Sequence, residues 1–597
     1  MKSVNTMGIR GLHSFMDKKG ILQPYRLKNS KVIIDGNNIC HQLLYNGNAR
    51  HFGGDYTVIK TATEVLFKNL LKCNINPYVV FDGAHDADDK KIATIQKKCE
   101  QSIRENKEKV SKHLECFPVL VYESFTMVLK ELKIPYVACE GEADNQIAIL
   151  AKKWCCPVIS CDSDMYIFDL PGGFVHFTDM KIDSNINGEI PTKLYLSSRF
   201  QEKTGVSSSL LPLAATLFGS DYAEIDEDVK TYFFERIGAR SKFSHLSKNL
   251  HVVFDNLRNV RDIDAGISLL TSCIEQKLPI HKATDHKSKI STSIKMFTLQ
   301  DTFETFSIDK YFDGKETSRH HKCLPDRIVG CMRTCVLSGL PADIIIGRVI
   351  LKPTIEQYDL PPVQEICLPL RQLLYGLITK SSPPNEQCDR IVEIVREKRF
   401  MTKKFVKPAT VIKGYDCVPT LQEVDNMDDR KRTTLLSAVF EFQPEKLSEF
   451  PEDSKLFVLT LNYFLKNGIS DTSMKYLKSY VFCHILFLKK TENATMRAVY
   501  RKLSDPGHGH AVNVRLFHQY LQCFQECLNM AYTINVVLGT SLKQPDPEVV
   551  YDGPFMYHLF CKQLTEDQTD ELITDSLRNE TALYKLYTTF IENIVSV

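Results

Sequence analysis

The stretch VISCDSD, residues 158–164, is a short apolar run that ends on two aspartates. KVIIDG, residues 31–36, and YVVFDG, residues 78–83, have the same form. Continuous runs of Val, Ile and Phe bounded by Gly and polar residues predict buried strands of a parallel sheet. Side chains beyond the carboxyl ends of such strands meet at one edge of the sheet, where α/β proteins place their sites. The aspartates expected at that edge are Asp35, Asp82, Asp162 and Asp164.

Two further motifs add acidic residues to the same candidate site. Glu140 and Glu142 precede residues 143–154, whose apolar positions have the spacing of an amphipathic helix. Acidic residues at the start of a helix are favoured by its dipole. Another apolar helix is predicted to end near Phe218, and Asp221 follows it.

The resulting group of seven acids predicts a metal site. A single Asp after a strand is usually a turn or capping residue, but seven acids on separate strand and helix ends are hard to explain in that way. Oxygen ligands suit a hard cation such as Mg²⁺ or Mn²⁺. Two such ions would leave the site anionic, so nearby cations are expected to help it receive a phosphate. The candidate metal ligands are Asp35, Asp82, Glu140, Glu142, Asp162, Asp164 and Asp221.

The order and spacing of six motifs resemble the flap endonuclease/XPG nuclease family. The motifs are MGIRGL (7–12), IDG (34–36), FDG (81–83), EGEA (140–143), DSD (162–164) and GSD (219–221). Three further stretches and the long helical C-terminal half are most similar to the asteroid branch of the family. These stretches are GGDY (53–56), NPYVV (76–80) and WCCPV (154–158).

The resemblance implies a fold and an activity. The expected fold is a PIN-like, flap-endonuclease-like α/β domain, a doubly wound parallel sheet with helices on both faces, followed by a large and mainly α-helical C-terminal half. The expected activity is that of a two-metal phosphodiesterase on branched or single-strand-bearing DNA in the nucleus, with a role in DNA repair. Two Mg²⁺ or Mn²⁺ ions would bind, the first to Asp35, Asp82, Glu140, Glu142 and Asp162, the second to Asp164 and Asp221 with help from Asp162.

The resemblance also divides the chain. Residues 1–6 would be an N-terminal extension, and Met7 an alternative start. Residues 7–125 would be an N-terminal nuclease region that includes a basic arch at about 86–115, residues 126–240 an internal nuclease region, and residues 241–597 a helical region of asteroid type.

A cluster of cations follows Asp82 at the position of the family's arch, through which single strands pass. Lys90, Lys97 and Arg104 are seven residues apart and share a helical face. The alternative is a solvated helix, the usual fate of a charge run. By resemblance, Lys90, Lys91, Lys97 and Lys98 would act on the scissile phosphate, and the DNA-binding residues would be Gly8, Arg10, Lys90, Lys91, Lys97, Lys98 and Arg104.

One departure from the family concerns duplex DNA. Family members follow the last Asp with a Gly-rich helix-turn-helix that grips a duplex, but here residues 222–228 are acidic. Acids repel phosphates, whereas glycines would offer backbone N–H groups to them. We therefore expect a preference for single-stranded DNA or overhangs over a cut fixed at a 5′-flap junction.

Composition constrains these alternatives only weakly. With 597 residues, 43% hydrophobic residues and a net charge of +2, the chain has the bulk properties of a multidomain globular protein. No transmembrane run or signal peptide is found, so the 19 cysteines are expected to be reduced. A catalytically weak relative that acts as a regulator or scaffold, with a protein partner on its helical half, and an RNA nuclease are the alternatives.

The C-terminal half shows mainly amphipathic helical patterns. Residues 405–413 suggest a short hairpin, and the Lys-rich residues 281–294 suggest a linker or exposed loop. His320, His321, Cys323, Cys331 and Cys335 match no common zinc module, so a helical core is favoured over zinc. A second basic group, with nucleic-acid contact as one interpretation, comprises Arg396, Lys398, Arg399, Lys403, Lys404 and Lys407. Helices are predicted at 245–257, 264–276, 326–338, 365–378, 433–442, 454–465, 473–490, 512–532 and 579–595.

Overall fold

A computed structural model gives the structure of most of the chain. It describes residues 9–46, 53–85, 92–108, 117–184, 188–219, 225–238, 250–299, 307–315, 323–354, 356–381, 388–468, 474–488, 514–561, 566–578 and 580–595. The chain divides into two compact units. The first unit is drawn from Met1–Gln42, Glu64–Thr94 and Glu131–His320, and the second from Leu43–Thr63, Ile95–Lys130 and His321–Val597.

The first unit contains a five-stranded parallel sheet with strand order β4-β3-β2-β5-β6. A pair β1-β7 and a second-unit sheet β10-β9-β8 complete the described strands. The strands are β1 (Gln23–Leu27), β2 (Lys31–Asp35), β3 (Asn76–Phe81), β4 (Tyr136–Ala138), β5 (Val158–Ser160), β6 (Phe174–His176), β7 (Ile190–Leu194), β8 (Arg348–Ile350), β9 (Ile391–Glu397) and β10 (Phe400–Val406).

The parallel sheet forms where the apolar runs predicted it. Val32, Ile33 and Ile34 in β2 and Val79 and Val80 in β3 are all essentially inaccessible to solvent. Runs that are apolar on both faces suit strands that are covered on both sides. Because β4, β3, β2 and β5 are consecutive neighbours and run in the same direction, their carboxyl ends lie along one edge.

The described helices account for most of the remaining chain. They are α1 (Leu12–Lys18), α2 (Gly36–Asn46), α3 (Tyr56–Lys72), α4 (Ile92–Glu108), α5 (Val121–Glu131), α6 (Ala143–Trp154), α7 (Ser197–Thr204), α8 (Leu211–Phe218), α9 (Glu227–Arg236), α10 (Leu250–Leu257), α11 (Ile263–Lys277), α12 (Ile280–Thr298), α13 (Ile308–Phe312), α14 (Asp326–Arg333), α15 (Leu340–Ile345), α16 (Leu368–Thr379), α17 (Leu421–Asp425), α18 (Asp429–Val439), α19 (Pro444–Leu447), α20 (Lys455–Asn467), α21 (Met474–Leu488), α22 (Val514–Leu538), α23 (Pro547–Val550), α24 (Gly553–Cys561), α25 (Glu566–Leu577) and α26 (Thr581–Val595).

Helix predictions based on apolar spacing are confirmed closely. The helix predicted at 143–154 is α6, with the same bounds. The one predicted at 264–276 is α11, and the one at 454–465 is α20. The mainly helical character predicted for the C-terminal half is confirmed by α10 to α26.

The prediction of a linker at 281–294 is wrong, because these residues lie inside α12. Its lysines suggested exposure, but Ala283, Ile290, Ile294 and Phe297 are buried at helical spacing. Lysines on the opposite face are solvated, as they are on the polar side of any amphipathic helix. A core-facing stripe of only a few apolar residues was therefore sufficient to form the helix.

The prediction of a hairpin at 405–413 is also wrong in its position. The observed hairpin joins β9 to β10 in antiparallel register through a two-residue turn at Lys398 and Arg399. Beyond the end of β10, Pro408 has no N–H to donate to a ladder, which disfavours a strand there. Only an isolated bridge between Ile412 and Tyr415 forms in that region.

Two other properties follow from the described residues. None of the helices in the described ranges is both long enough and apolar enough to cross a membrane. The 17 cysteines whose side chains the structure describes are free thiols.

Candidate active site

Asp35 is the last residue of β2 and lies almost buried at the sheet edge, with 7% of its surface exposed. One carboxylate oxygen accepts a hydrogen bond from the backbone N–H of Asn38 at 3.0 Å. The other accepts from the hydroxyl of Ser160, at the end of the neighbouring strand β5, at 2.8 Å. Asp35 is therefore held in place by the first turn of α2 and by the next strand.

Asp82 follows β3 and is exposed. Its Oδ1 accepts from the backbone N–H of Ala143, the first residue of α6, at 2.9 Å. Its own N–H donates to Oδ1 of Asn37 at 2.9 Å. The carboxylate thus satisfies one of the open N–H groups at the start of α6, and the backbone N–H of Asp82 ties the end of β3 to the first turn of α2.

Glycine follows both aspartates because the backbone there has no room for a side chain. A Cβ atom on Gly36 would lie 2.5 Å from Cε1 of Phe81. A Cβ atom on Gly83 would lie 2.0 Å from the carbonyl oxygen of Cys139. The Asp-Gly pairs seen in the sequence are therefore a packing requirement of strand ends that approach one another closely.

Glu140 and Glu142 lie between β4 and α6 and are half-buried. Glu142 is the N-cap residue of α6, with extended backbone angles and no capping bond from its own side chain. The N–H of Gly83 donates to the carbonyl of Gly141 at 2.7 Å, and that of Ala84 to the carbonyl of Glu140 at 2.9 Å. These bonds bring the two-glutamate segment against the residues that follow Asp82.

Asp162 and Asp164 lie in the turn after β5. Asp162 is nearly buried, with 8% exposed, and caps a 3₁₀-helix at Ser163–Tyr166. Its Oδ1 accepts from the N–H of Asp164 at 2.9 Å, and its own N–H donates to Oγ of Ser160 at 2.9 Å. Asp164 is half-buried.

Electrostatic contacts show that acids from three different segments come together. The pKa of Asp35 is raised to about 7, mainly by burial, with contributions from the negative charges of Asp82 and, to a smaller extent, Glu142. The hydrogen bonds from Asn38 and Ser160 oppose this rise. Carboxylates that repel one another in this way are the environment in which a bound cation is favourable.

Sequence reasoning missed the neutral residues that hold this edge together. These residues are Asn37, Asn38 and Ser160, whose contacts are given above. In addition, Oδ1 of Asn38 accepts from the N–H of Cys161 at 2.7 Å. The two asparagines therefore link the ends of β2, β3 and β5. The signal available in the sequence was the pair of asparagines directly after Asp35-Gly36, a position where a strand-end loop can present amides to its neighbours.

The chemistry of the donors suits a hard divalent cation, because every candidate side chain offers carboxylate oxygen. A carboxylate has about four acceptor positions, so Asp35 keeps acceptor capacity beside its two hydrogen bonds. Within the described ranges, however, no three His, Cys, Asp or Glu side chains are grouped so that they could hold one ion, either at this edge or around Cys323, Cys331 and Cys335. Individual ligand assignments at this edge therefore stay predictions.

The remaining predicted residues are placed as follows. Asp221, Gly8, Lys90, Lys91, His320 and His321 lie outside the described residues. Arg10 is exposed just before α1, and Lys97, Lys98 and Arg104 are exposed on α4. Since this part of α4 belongs to the second unit, a role for its lysines at the scissile phosphate stays a prediction.

Three family models match the chain. The XPG N-terminal domain matches residues 7–105, an XPG domain-containing model matches residues 91–257, and the asteroid N-terminal domain matches residues 500–597. The first two cover all the strands that carry the acidic residues. Residues 7–257 therefore match XPG-family nuclease domains. Dependence on a divalent metal ion is general for that family.

Relatives in this family extend the similarity to nearly the whole chain. The Single-strand DNA endonuclease ASTE1 of Homo sapiens is 25% identical over 621 residues, covering 97% of this chain and 89% of the relative. The protein of the same name from Mus musculus is also 25% identical, with 97% and 90% covered. Protein asteroid of Drosophila melanogaster is 34% identical over 169 residues, covering 28% of this chain and 20% of the relative.

Solved structures with detectable similarity include two DNA complexes. The catalytic core of Rad2 with a DNA substrate is 18% identical, covers 56% of this chain and 97% of that one, and has a TM-score of 0.29. Human GEN1 with Holliday junction DNA is 12% identical, covers 65% and 84%, and has a TM-score of 0.31. Because these TM-scores are low, the α/β fold of the XPG region rests on the parallel sheet of this chain itself.

Proposed function

We propose that this chain is a divalent-metal-dependent, structure-specific DNA endonuclease that acts on single-stranded DNA, overhangs or flaps. The observation that carries the proposal is the convergence of acids at the carboxyl ends of four adjacent parallel strands, in the motif order of XPG nucleases. The two relatives that match almost the full chain are named as single-strand DNA endonucleases. These findings support an enzyme over a regulator or scaffold.

The roles proposed for the acids follow their positions. Asp35, Asp82, Glu140, Glu142 and Asp162 would hold one Mg²⁺ or Mn²⁺ ion, and Asp164 and Asp221 a second one with help from Asp162. Bound ions of this kind supply an activated water and stabilise the leaving oxygen of the phosphodiester. Asn38 and Ser160 act as positioning residues, since they fix the carboxylate of Asp35 through hydrogen bonds.

The proposed preference for single strands is supported by the start of α9. A helix N-terminus can bind phosphate through its free N–H groups. Here Asp226 caps the helix and accepts from the N–H of Asp228 at 2.9 Å, and Glu227 lies between them. All three acids are exposed, so this helix end repels a phosphate backbone. Selection would then depend on single strand, with cleavage of a 3′-tailed strand as one expected activity.

The biological setting is also part of the proposal. A DNA endonuclease of this type would work in the nucleus, in DNA repair, with DNA carrying single-stranded segments as its partner. The helical C-terminal half would provide the surface for a protein partner.

The experiment that tests the proposal is a cleavage assay with purified protein and Mg²⁺ or Mn²⁺. Labelled single strands, 5′ flaps, 3′ flaps, overhangs and matched RNA strands form the panel. We expect single strands and overhangs to be cut, and Asp162→Asn to reduce cutting at least about 100-fold, because a carboxylate proposed to help hold both metal ions is lost. Asp183→Asn, which changes an exposed acid away from the predicted site, is the matched control and should cut normally.

Two outcomes would contradict the proposal. Normal cutting by Asp162→Asn would exclude the acidic edge as the active site. Cutting of RNA with DNA strands untouched would replace the proposed substrate with RNA. Cleavage confined to a 5′-flap junction would leave the active site in place and refute the preference for single strands.

A further inference from the structure

The β9–β10 hairpin of the second unit carries an unusual concentration of positive charge. From Lys398 to Lys413 the sequence has six cations and no acid. All six are exposed, and β10 is an edge strand that pairs only with β9. The cations are Lys398, Arg399, Lys403, Lys404, Lys407 and Lys413.

Aromatic side chains are interleaved with these cations. Phe400 is 67% exposed and Phe405 is 64% exposed. Among the residues that the structure describes, they are the only phenylalanines in the exposed class, although the chain contains 33. Val411 and Tyr415, which follow closely, are exposed as well. An apolar surface of this kind is costly in water unless a ligand covers it.

Alternation along the strand places one aromatic and one lysine on each face of β10. Phe400 and Lys404 share one face, and Lys403 and Phe405 share the other. Lys404 forms an exposed ion pair with Glu365 at 2.9 Å. Lys403 and Lys407 have no carboxylate partner within 4.0 Å among the described residues, so their charge is available to a ligand.

Arg396 fixes the position of the β9–β10 hairpin. From the sequence it was grouped with the exposed cations. That grouping is wrong for Arg396, which is 2% exposed and forms an ion pair with buried Glu356 at 2.9 Å. The same guanidinium donates to the carbonyls of Tyr358 and Lys398. The hairpin turn is thereby tied to the core of the unit.

The turn of the hairpin contains a lysine in a backbone conformation that lysine disfavours. Lys398 has a φ of 51°, in the left-handed region where two-residue turns usually place Gly, Asn or Asp. A lysine there is less favourable by about 1 kcal/mol or more. The hairpin tip therefore keeps a cation at a position that would be more stable as glycine.

Helix α4 adjoins the hairpin and extends the positive surface. The backbone N–H of Met401 in β10 donates to Oε1 of Glu100 on α4 at 3.2 Å. Lys97, Lys98 and Arg104 are exposed on the same helix. Two basic segments that are about 300 residues apart in sequence are thus neighbours in the second unit.

A simpler explanation accounts for only half of these features. Lysines on an edge strand prevent that strand from pairing with other chains. An edge protected in this way would not also expose two phenylalanines, which favour association. Cations that match phosphates beside aromatic rings that stack on bases are the features of a single-strand nucleic-acid surface.

We propose that the β9–β10 hairpin, together with α4, is a binding platform for single-stranded DNA outside the acidic active site. Lys403 and Lys407 contact phosphates beside Phe405, which stacks on a base. Phe400, on the opposite face of β10 next to the turn, stacks on a second base where the strand passes around the hairpin tip. The choice of DNA as the ligand rests on the proposed function. Binding by the platform does not require cleavage, so the two proposals can be tested separately.

The test measures binding of fluorescein-labelled oligo(dT) to the full-length chain by anisotropy in EDTA, over a series of salt concentrations. Phe400→Ala with Phe405→Ala should weaken binding about 30-fold or more, the lower end of the loss expected for two stacked bases, with little change in salt dependence. Lys403→Ala with Lys407→Ala should lower the slope of log K against log salt by about 1.4, or about 0.7 for each phosphate contact.

Matched controls use the same residue types elsewhere in the second unit. Arg430→Ala with Lys431→Ala removes two exposed cations on α18, and Tyr584→Ala removes an exposed aromatic on α26. Both should bind as the unmodified chain does. The conservative pair Phe400→Trp with Phe405→Trp should keep binding, which separates stacking from misfolding.

Unchanged affinity and salt slope in both hairpin variants would overturn the proposal. Loss of binding in the tryptophan variant, with unfolding temperature unchanged, would also overturn it, because stacking does not depend on which aromatic ring is present. A hairpin variant that binds weakly while the unmodified chain cuts nothing would support the platform and refute the proposed function. If the unmodified chain cuts DNA while the hairpin variants bind normally, the proposed function is supported and the platform is refuted.

Discussion

The two units contain buried carboxylates in opposite settings. In the second unit, Glu393 receives two hydrogen bonds from Arg371, at 2.8 and 3.1 Å, and one from Tyr375 at 2.7 Å. In the first unit, the hydrogen bonds that buried Asp35 receives from described residues come only from a backbone N–H and a hydroxyl. No Lys or Arg side chain of the described residues lies within 4.0 Å of it.

The difference separates structural charge from functional charge. A buried acid beside arginine is neutralised by the protein itself and fixes the packing around it. A buried acid whose nearest charges are other acids raises the free energy of the fold until something else supplies positive charge. In the XPG region that positive charge would come from a divalent ion. The site is stable without the ion because neutral asparagine and serine side chains hold the strand ends together.

The largest expected effect concerns the arginine in the second unit. Arg371→Met should lower the free energy of unfolding by about 3–5 kcal/mol, because it leaves Glu393 buried without its cation. Urea denaturation measures the change. Lys413→Met, which breaks the exposed pair with Glu441, is the control and should change stability by less than about 1 kcal/mol. Equal losses in both variants would show that burial does not govern these pairs.

The second prediction concerns Glu123, an acid of the second unit. Burial raises the pKa of Glu123 to about 7 from its ordinary 4.5, and its Oε2 is buried without a hydrogen-bond partner. Because the folded state retains a proton that the unfolded state has lost, stability falls as pH rises from about 4.5 to about 7, and levels off above that.

Glu123→Gln removes this pH dependence. We compare the unfolding free energy of the variant with that of the unmodified chain at each pH. The difference between the two proteins should be up to about 3 kcal/mol larger, in favour of the variant, at pH 8 than at pH 5, since a shift of one pKa unit corresponds to about 1.4 kcal/mol. Urea denaturation at the two pH values measures the difference. A difference that is the same at both would mean that Glu123 is ionised in the fold.

The smallest effect concerns Asp35. In EDTA, Asp35→Asn should raise the unfolding free energy by about 1–2 kcal/mol, because it removes repulsion with Asp82 while the amide can still accept from Asn38 and donate to Ser160. The same change at exposed Asp183 should be neutral within about 0.5 kcal/mol. A loss of stability in Asp35→Asn, measured by thermal unfolding in EDTA, would argue that a described side chain already compensates its charge.

Much of the sheet edge that carries the candidate site was predictable because its signal is local. Each apolar run that ends on an aspartate became a parallel strand, and the spacing of residues 143–154 gave α6 with its observed bounds. Strand ends and helix starts are properties of a few adjacent residues. Their meeting at one edge follows from parallel direction alone.

The features that could not be predicted depend on partners far apart in sequence. Arg396 looked like one of several exposed cations, but Glu356, 40 residues earlier, takes it into the core. Residues 281–294 looked like a linker because polar and charged residues far outnumber the few apolar residues that α12 buries there. The amide of Asn38 contacts Cys161 across 123 residues, which no local pattern reveals.

The most direct test of the account is a calorimetric titration of the full chain with Mn²⁺. The account predicts that the unmodified chain binds two ions, that Asp162→Asn abolishes or strongly weakens binding, and that Asp183→Asn binds as the unmodified chain does. No binding by the unmodified chain at millimolar Mn²⁺, or equal binding by Asp162→Asn, would contradict the claim that this acidic edge is a metal-dependent active site.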